Sequence, residues 1–491
     1  MLLLSLAAIA SVAASGGSTP AHRLPARLVG ARAAVRALAA PIDGLRGLSA
    51  QQRIGELRFA ELSAAEPTAE RVLGGVSSAA RREGGGSVVV SLYYGQLTAG
   101  EAAGTRVLVK EFVADGSEAQ PLRRALEGDG AAARLEALLA SGAPACTAEL
   151  VAENEFAAHV RLEARAEPRR LAQLSRCLGR AKVAAFATQP ASILLAFAWT
   201  GEQVRMAMPQ RPPPTLASWM ALRAAGATAG AFSDRSVPVI AARDRVKFIR
   251  QVLFDALKGL AVLHEVGLVH CAIGRQVVGI STEDDRQPVK GRLEQLAFAR
   301  DSETLVLACR ARDQVDDLDR PDLLDIGLRE RAEKCVKAEA DGDSSLLNGP
   351  SLSDFAFADD MRAFGALMLE SLIVPCAPPG AITTSALAAL CDGAYRGTGM
   401  IDRDGTTGSD ISTSAIVTMD GRVDIAALRA YLMEDDGLRI GGVGGADMLD
   451  ATGGWDLLAQ LLGPWQARPS AASALKHPFW ERKVPFLKVE S

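Results

Sequence analysis

The chain has 491 residues, of which 48% are hydrophobic and 23% are charged, and its formal net charge is -4. This composition is typical of a globular protein with enough apolar residues for a substantial core, and it excludes a disordered or collagen-like chain. Because there is no basic excess, nucleic acid is not expected as a partner.

The seven cysteines are scattered along the sequence and form neither a Cys-x-x-Cys pair nor the Cys/His spacing of a zinc site. They predict neither a disulfide framework nor a metal centre. Buried free thiols are the simplest interpretation, since free cysteine packs as a small hydrophobe. The alternative that two of the cysteines form a redox-active pair stays open.

The first 45 residues differ in composition from the rest of the chain. Leu2–Ala14 is apolar and too short to span a bilayer, which takes about 20 residues. Residues 1–14 are therefore predicted to be a signal peptide. Residues 15–45 are predicted to be a transit-like disordered segment, because four arginines and no acid precede Asp43.

Together these two segments resemble the two-part presequence of proteins that enter plastids of secondary origin. The resemblance implies a plastid location for the mature chain. The alternative is a plain secretory signal followed by a basic, disordered start, which would place the protein in the secretory pathway.

Strand patterns dominate the first half of the remaining chain. β-Branched and aromatic residues predict strands, and an apolar side at 3.6-residue spacing predicts one helix. A Gln-Pro pair divides the last apolar stretch into two strands, since proline interrupts a strand. The predicted elements are strands at Val88–Tyr94, Arg106–Phe112, Val183–Thr188 and Ser192–Trp199, and a helix at Ala148–Ala164.

Helical patterns dominate the second half, and strands followed by helices indicate an α+β protein. Residues 304–354 and 375–424 are rich in Gly, Asp, Thr and Ser and are predicted to be long loops or insertions. No stretch of the mature chain predicts a transmembrane helix. The predicted helices are Arg245–Val266, Asp359–Leu372, Trp455–Leu462 and Ser470–Lys476.

The order of these elements, and two residues within them, resemble the eukaryotic protein kinases. Val107-Leu108-Val109-Lys110 is similar to the strand motif whose lysine holds nucleotide phosphates, and Glu155 stands where its glutamate partner lies on the next helix. The resemblance implies a two-lobed protein-kinase-like fold. A β-rich N-lobe would occupy residues 70–200, and an α-helical C-lobe residues 201–491.

The same resemblance assigns structural roles to three further residues. His270 follows the helix and loop that lead into the catalytic motif and corresponds to a packed histidine. Asp360 matches the buried aspartate that opens the large C-lobe helix and accepts backbone N–H bonds. Arg468 belongs to the C-terminal kinase signature, but the Ala-Pro-Glu motif that carries its usual glutamate partner does not occur between Phe298 and Asp360.

Four short strings are similar, more narrowly and more weakly, to the chloroplast state-transition kinase family. This similarity implies a protein partner and a peripheral association with thylakoid membranes. The strings, which occur in the same order as in that family, are Gly201-Glu202, Thr215–Met220, Arg250–Phe254 and Gly454–Leu458.

The residues that carry phosphoryl transfer in kinases are replaced in this chain. In kinases an Asp accepts the substrate proton, and an Asn and a second Asp hold Mg²⁺. By position, Ala272 replaces the base, Gly274 the loop lysine and Val277 the metal-binding Asn. Gln295 replaces the Mg²⁺ aspartate, and Glu294 beside it is expected to face away because strand side chains alternate. No intact catalytic residue and no metal site are therefore expected.

Lys110 and Glu155 leave two interpretations open. As a residual clamp they would bind a nucleotide such as ATP without Mg²⁺, and as a structural ion pair they would only join a strand to a helix. The leading hypothesis is a catalytically inactive pseudokinase that binds or scaffolds a protein partner in a plastid. The alternatives are an active ATP-dependent Ser/Thr kinase with unorthodox residues and an ATP-binding sensor that transfers no phosphate.

Overall fold

The structure is a computed structural model, and its strands lie mainly between residues 42 and 198 and its helices mainly after residue 215. The predicted α+β class is therefore confirmed. The residues that the structure describes are 41–60, 87–99, 103–113, 148–183, 192–199, 211–224, 236–302, 352–383, 387, 424–440, 443–463 and 467–484.

A six-stranded sheet forms the N-terminal part of the described chain, with the strand order β1-β5-β6-β4-β3-β2. Its pairs are antiparallel except for β1, which lies parallel to β5. β-Branched and aromatic residues favour these strands because their side chains pack well on a pleated surface. The strands are β1 Ile42–Asp43, β2 Leu48–Ala60, β3 Ser87–Leu97, β4 Arg106–Val113, β5 Cys177–Val183 and β6 Ser192–Ala198.

The sheet begins well before the predicted boundary at residue 70. β2 pairs with β3 along its whole length. β1 is a two-residue strand at the opposite edge of the sheet, beside β5. Residues 42–45 were predicted to be disordered, but Ile42 and Asp43 form β1, and the N–H of the buried Leu45 donates to the carbonyl of Arg180. The predicted start of the N-terminal domain at residue 70 is therefore wrong.

Helices surround the largest apolar cluster, through which the 30-residue helix α3 runs. In its centre the rings of Trp219 and Phe248 stack at 5.0 Å between centroids. The C-terminal end of the chain is tied to α3 by Arg250, whose guanidinium donates to two carbonyls of residues 480–482. The helices are α1 Ala148–Arg165, α2 Leu216–Ala224, α3 Ser236–Glu265, α4 Leu352–Ile373, α5 Ile425–Glu434, α6 Gly445–Thr452, α7 Gly454–Leu462 and α8 Ala471–Ala474.

Two small strand pairs and several single-turn 3₁₀ helices connect the sheet to the helices. β7 pairs with β10, and β8 pairs with β9, each antiparallel. These strands are β7 Leu268–Val269, β8 Val278–Ile280, β9 Gly291–Leu293 and β10 Arg300–Asp301. The 3₁₀ turns are Arg170–Gln173, Arg275–Val277, Leu296–Phe298, Val374–Cys376, Asp436–Leu438 and Pro478–Trp480.

Several predicted bounds shift in the structure. Of the strand predicted at Val183–Thr188, only Val183 lies within the described residues, and it ends β5. The start of β5 at Cys177 was not predicted, because Arg180 and Lys182 interrupt its apolar pattern. The last predicted helix shrinks to Ala471–Ala474. Most of the two predicted insertions, 304–354 and 375–424, lies outside the described residues.

The helix α4 starts at Leu352, so the end of the first predicted insertion is helical. Among the residues that the structure describes, no helix is long and apolar enough to cross a bilayer.

One glycine permits the close approach of β1 to β5. Gly179 has φ +154°, and a Cβ placed there would lie 2.5 Å from the carbonyl oxygen of Ile42. Such a distance is too short for a carbon–oxygen contact, so any larger residue must displace β1.

We therefore expect Gly179→Ala to lower the free energy of unfolding by at least about 2 kcal/mol, since it adds a backbone clash to conformational strain. Gly380→Ala is the matched control, because Gly380 has φ +78° and open space around it. It should cost only on the order of 1 kcal/mol. Urea unfolding measures the free energy of unfolding of both variants. Equal decreases in the two variants would mean that β1 is not held against β5.

Candidate functional site

A buried ion pair joins the sheet to α1. The Nζ of Lys110, on β4, donates to Oε1 of Glu155, on α1, at 2.5 Å, and the two side chains are 3% and 0% exposed. The ammonium also lies 4.4 Å from the centre of the Phe197 ring on β6. The charge is thus compensated by a carboxylate on one side and an aromatic face on the other.

Gln295 completes this group, which we call the Lys110 cluster: Lys110, Glu155 and Gln295. The Oε1 of Gln295 accepts a second hydrogen bond from Lys110, at 2.7 Å. Gln295 has the left-handed backbone conformation, φ 62° and ψ 59°. A non-glycine residue adopts it at a cost of about 1–2 kcal/mol, so the surrounding contacts must hold it there.

The turn that follows Gln295 is fastened to α1 by Asn154. Its side-chain amide donates to the carbonyls of Ala297, at 2.5 Å, and Ala299, at 3.1 Å. Farther along the same helix, Arg161 forms an ion pair with Asp301 of β10. Helix α1 and residues 295–301 are therefore held together along about two turns of the helix.

A second buried carboxylate, Asp360 on α4, holds the loop that begins at His270. Its Oδ2 accepts the backbone N–H of His270 at 2.6 Å, and its Oδ1 accepts that of Cys271 at 3.0 Å. Cys271 has φ 65°, the other non-glycine residue with positive φ among those described. The Asp360 carboxylate therefore stabilises a strained loop conformation through charge-assisted hydrogen bonds.

The His270 ring is fully buried and acts as a packed, hydrogen-bonded residue. Its Nδ1 accepts the N–H of Ala272 at 3.3 Å, so Nε2 carries the proton and donates to the carbonyl of Glu294 at 3.1 Å. Burial lowers the pKa of His270, which keeps this ring neutral. The ring thus links the loop to the residues that precede Gln295.

Three positions where the kinase resemblance implies catalytic groups lie on the same loop. Ala272 and Val277 are buried and apolar, and Gly274 precedes the 3₁₀ turn Arg275–Val277. Their side chains neither accept a proton nor bind a hard cation. No group of three His, Cys, Asp or Glu side chains within the described residues is arranged to hold a metal ion.

Glu294 was expected to face away from the Lys110 cluster because strand side chains alternate. β9 ends at Leu293, and the left-handed Gln295 follows, so strand alternation does not apply. The Glu294 carboxylate lies against Gly279, in the space that a side chain at that position would occupy. Burial raises the pKa of Glu294 to about 6, Lys110 opposes this increase, and the Glu155 charge adds to it.

His159 is a member of this region that sequence reasoning missed. It is completely buried, and its Nε2 has no hydrogen-bond partner among the described residues. Burial and the charge of Lys110 lower the pKa of His159 to about 3, so the ring is neutral. The signal in the sequence was its spacing of four residues from Glu155, which places both on one face of α1.

Arg468 fastens a different segment of the chain. Its guanidinium donates to the carbonyls of Gly463, at 2.9 Å, and Ala358, at 3.2 Å, and so ties the segment before α8 to α4. The structure thus brings Lys110, Glu155 and Gln295 together, and it brings His270, Ala272 and Asp360 together.

The Glu294 carboxyl predicts a pH dependence of stability. Its pKa in the folded chain, about 6, is above its ordinary value of 4.5. The folded state therefore favours the protonated form, and this contribution is complete below about pH 4.5 and is lost as the pH rises through 6. The difference between these two pKa values corresponds to a loss of roughly 2 kcal/mol in the free energy of unfolding.

We expect Glu294→Gln, which stays neutral, to gain up to about 2 kcal/mol over the unsubstituted chain as the pH rises from 4.5 to 6.5. Denaturant unfolding at each pH measures this difference. Glu434→Gln, at an exposed position on α5, is the control and should give a constant difference. A constant difference for Glu294→Gln as well would show that Glu294 titrates normally.

No protein-family model matches this chain, and no curated protein matches its sequence. The support for a kinase resemblance therefore comes from the short motifs and the geometry. The relevant geometry is the Lys110 cluster and the hydrogen bonds of Asp360 to its loop.

Proposed function

We propose that this chain is a pseudokinase: a two-lobed protein-kinase-like fold that binds or scaffolds a protein partner and transfers no phosphate. The observation that carries the proposal is the buried pair of Lys110 and Glu155, 2.5 Å apart between a strand and the next helix. Kinases place a lysine and a glutamate in this relation to hold nucleotide phosphates.

The contacts of Asp360 support the same proposal. A buried aspartate that accepts backbone N–H groups of the loop at His270 is what the kinase resemblance implies for this position, although α4 begins at Leu352 and not at Asp360. The Lys110 cluster and the Asp360 contacts are also joined, since His270 donates to the carbonyl of Glu294. This link between two motifs far apart in sequence supports the proposal of one kinase-like site.

The absence of phosphotransfer is proposed from what replaces the catalytic groups. Removing a general base typically costs 10²–10⁴-fold in rate, and Ala272 has no group that accepts a proton. Gln295 offers Lys110 a neutral amide, and a neutral amide is a poor sole anchor for Mg²⁺. An active kinase would need a base and metal ligands other than those at the family positions.

The ammonium of Lys110 is moreover already bonded to the chain's own side chains. Lys110 is 3% exposed, and Gln295 takes one of its three donors while Glu155 takes another. The Glu294 carboxylate adds a negative charge beside them at neutral pH. A nucleotide phosphate would have to displace Gln295 and overcome repulsion by two carboxylates.

The retained ion pair nevertheless favours one alternative, an ATP-binding sensor without phosphotransfer. In that case ATP would stabilise the chain without Mg²⁺, and the effect would depend on Lys110. The two functions differ in a single measurable property, nucleotide binding.

We expect neither ATP nor ATP with Mg²⁺ to raise the melting temperature of the purified full-length chain, and we expect no transfer of labelled phosphate. A ligand present at a hundred times its Kd would add about 2.7 kcal/mol, which a thermal shift detects easily. Lys110→Met is the control for this site. A shift with ATP alone that disappears in Lys110→Met would establish the sensor, and Mg²⁺-dependent phosphate transfer that disappears in it would establish an active kinase.

For location, we propose a plastid, on the composition of residues 1–40, which lie outside the described residues. An association with thylakoid membranes rests on the narrower family resemblance alone. Plain secretion is the competing outcome.

We expect a fusion of residues 1–45 to a fluorescent protein to enter a plastid. The apolar run would act first, as a signal peptide, and the basic, acid-free segment would then act as a transit peptide. Deletion of residues 2–14 from the fusion should leave it in the cytosol. Fluorescence microscopy in a cell with secondary plastids reads both results. Release of the intact fusion into the medium would contradict the plastid proposal.

A further inference from the structure

A short segment before β2, which we call the strap, consists of residues 42–47. At its start, β1 lies on the edge of β5. At its end, the carbonyl of Gly47 accepts two hydrogen bonds from Thr98, one from the backbone N–H at 2.6 Å and one from the hydroxyl at 2.9 Å. Between these points Leu45 is buried among apolar residues of β4 and β6. The strap is therefore attached to the sheet at both ends and packed against it in the middle.

Arg180, on β5, connects the strap to helix α1. Its Nε and Nη2 donate to the two carboxylate oxygens of Asp43, at 2.7 and 2.9 Å. Its Nη1 donates to Oε2 of Glu153 on α1, and its guanidinium lies 4.5 Å from the centre of the Phe156 ring on the same helix. A two-point bond to a carboxylate fixes the plane of a guanidinium. Asp43 therefore orients the nitrogen that Arg180 offers to α1.

This contact with α1 lies beside the Lys110 cluster in the sequence of the helix. Glu153 precedes Glu155 by two residues, and Phe156 follows Glu155 directly. Phe156 also belongs to the same apolar cluster as the buried Cys177 of β5. Movement of this part of α1 away from the sheet therefore separates Glu155 from Lys110 and uncovers Cys177.

Two features make the start of the strap easy to detach. β1 has two residues, whereas strands usually have about 3–10. The side chain of Asp43 is 65% exposed, so salt screens its ion pair, whereas that of Arg180 is 14% exposed. When β1 detaches, Arg180 keeps its place on β5 but loses the carboxylate that orients it.

We propose that the strap controls how firmly α1 is held on the sheet. While Asp43 is bound, it orients Arg180 for Glu153. When β1 detaches, that contact weakens, and opening of the Lys110 cluster becomes more frequent. The physical reason is preorganisation, since a side chain that is already held in place loses less entropy when it makes a further contact. This role of the strap does not depend on the proposed pseudokinase function.

Cys177 reports on the separation of α1 from β5. Burial raises the pKa of this free thiol to about 12, so N-ethylmaleimide, which reacts with the thiolate, modifies it only when the cluster opens. Cys376 is the internal reference, because it is a free thiol of the helical part whose pKa burial also raises to about 12. Peptide mass spectrometry of the full-length chain under native conditions gives a rate of modification for each thiol.

We expect Asp43→Asn to raise the rate of modification of Cys177 about fivefold, the effect of losing the orientation of one side chain. Cys177 should react faster than Cys376, because α1 opens locally without unfolding of the whole chain. Asp436→Asn is the matched control. It changes the carboxylate of another exposed Asp–Arg pair, with Arg439 in the helical part, and should leave the rate at Cys177 unchanged.

Glu153→Gln tests whether the effect passes through Arg180. In this background α1 no longer offers Arg180 a carboxylate, so Asp43→Asn should change the rate at Cys177 by less than about twofold. The proposal is overturned by any of three results: Asp43→Asn leaves the rate unchanged when Glu153 is present, it acts by the same factor in both backgrounds, or Cys177 reacts no faster than Cys376.

Discussion

The ammonium of Lys110 is buried where the sheet meets the helical part of the chain, and the local structure depends on how its charge is compensated. An isolated charge in a protein interior is strongly unfavourable. Glu155 and Gln295, which are 45 and 185 residues away in the sequence, accept hydrogen bonds from this ammonium and so compensate its burial. Breaking such a buried pair on one side typically costs about 3–5 kcal/mol, so β4, α1 and the turn at Gln295 are fixed relative to one another.

Asp360 performs the corresponding task for the helical part. Its two oxygens accept backbone N–H groups of a loop that contains a left-handed cysteine, and His264 adds a third contact. The loop keeps its shape although Ala272 and Val277 have no polar group. These two residues are buried and add apolar surface to the core.

The strands β3, β4 and β6 and most helices could be predicted from the sequence, because their residues follow clear periods. β2 could not, since Leu48–Ala60 mixes Gln, Arg and Glu with apolar residues, as an edge strand exposed on one side does. Lys110 and Glu155 were predicted as a pair from motif positions. The role of Glu294 could not be predicted, because it follows from the left-handed backbone of Gln295, which no local pattern indicates.

The fastening of α1 by Asn154 has a consequence for association. A helix that is bonded to two carbonyls of the facing turn does not swing independently of it. A partner that recognises this face meets a single, preorganised shape and loses little entropy in ordering it. The rate of encounter is then set by diffusion and orientation, typically 10⁵–10⁷ M⁻¹s⁻¹, and partners differ chiefly in how long they stay bound.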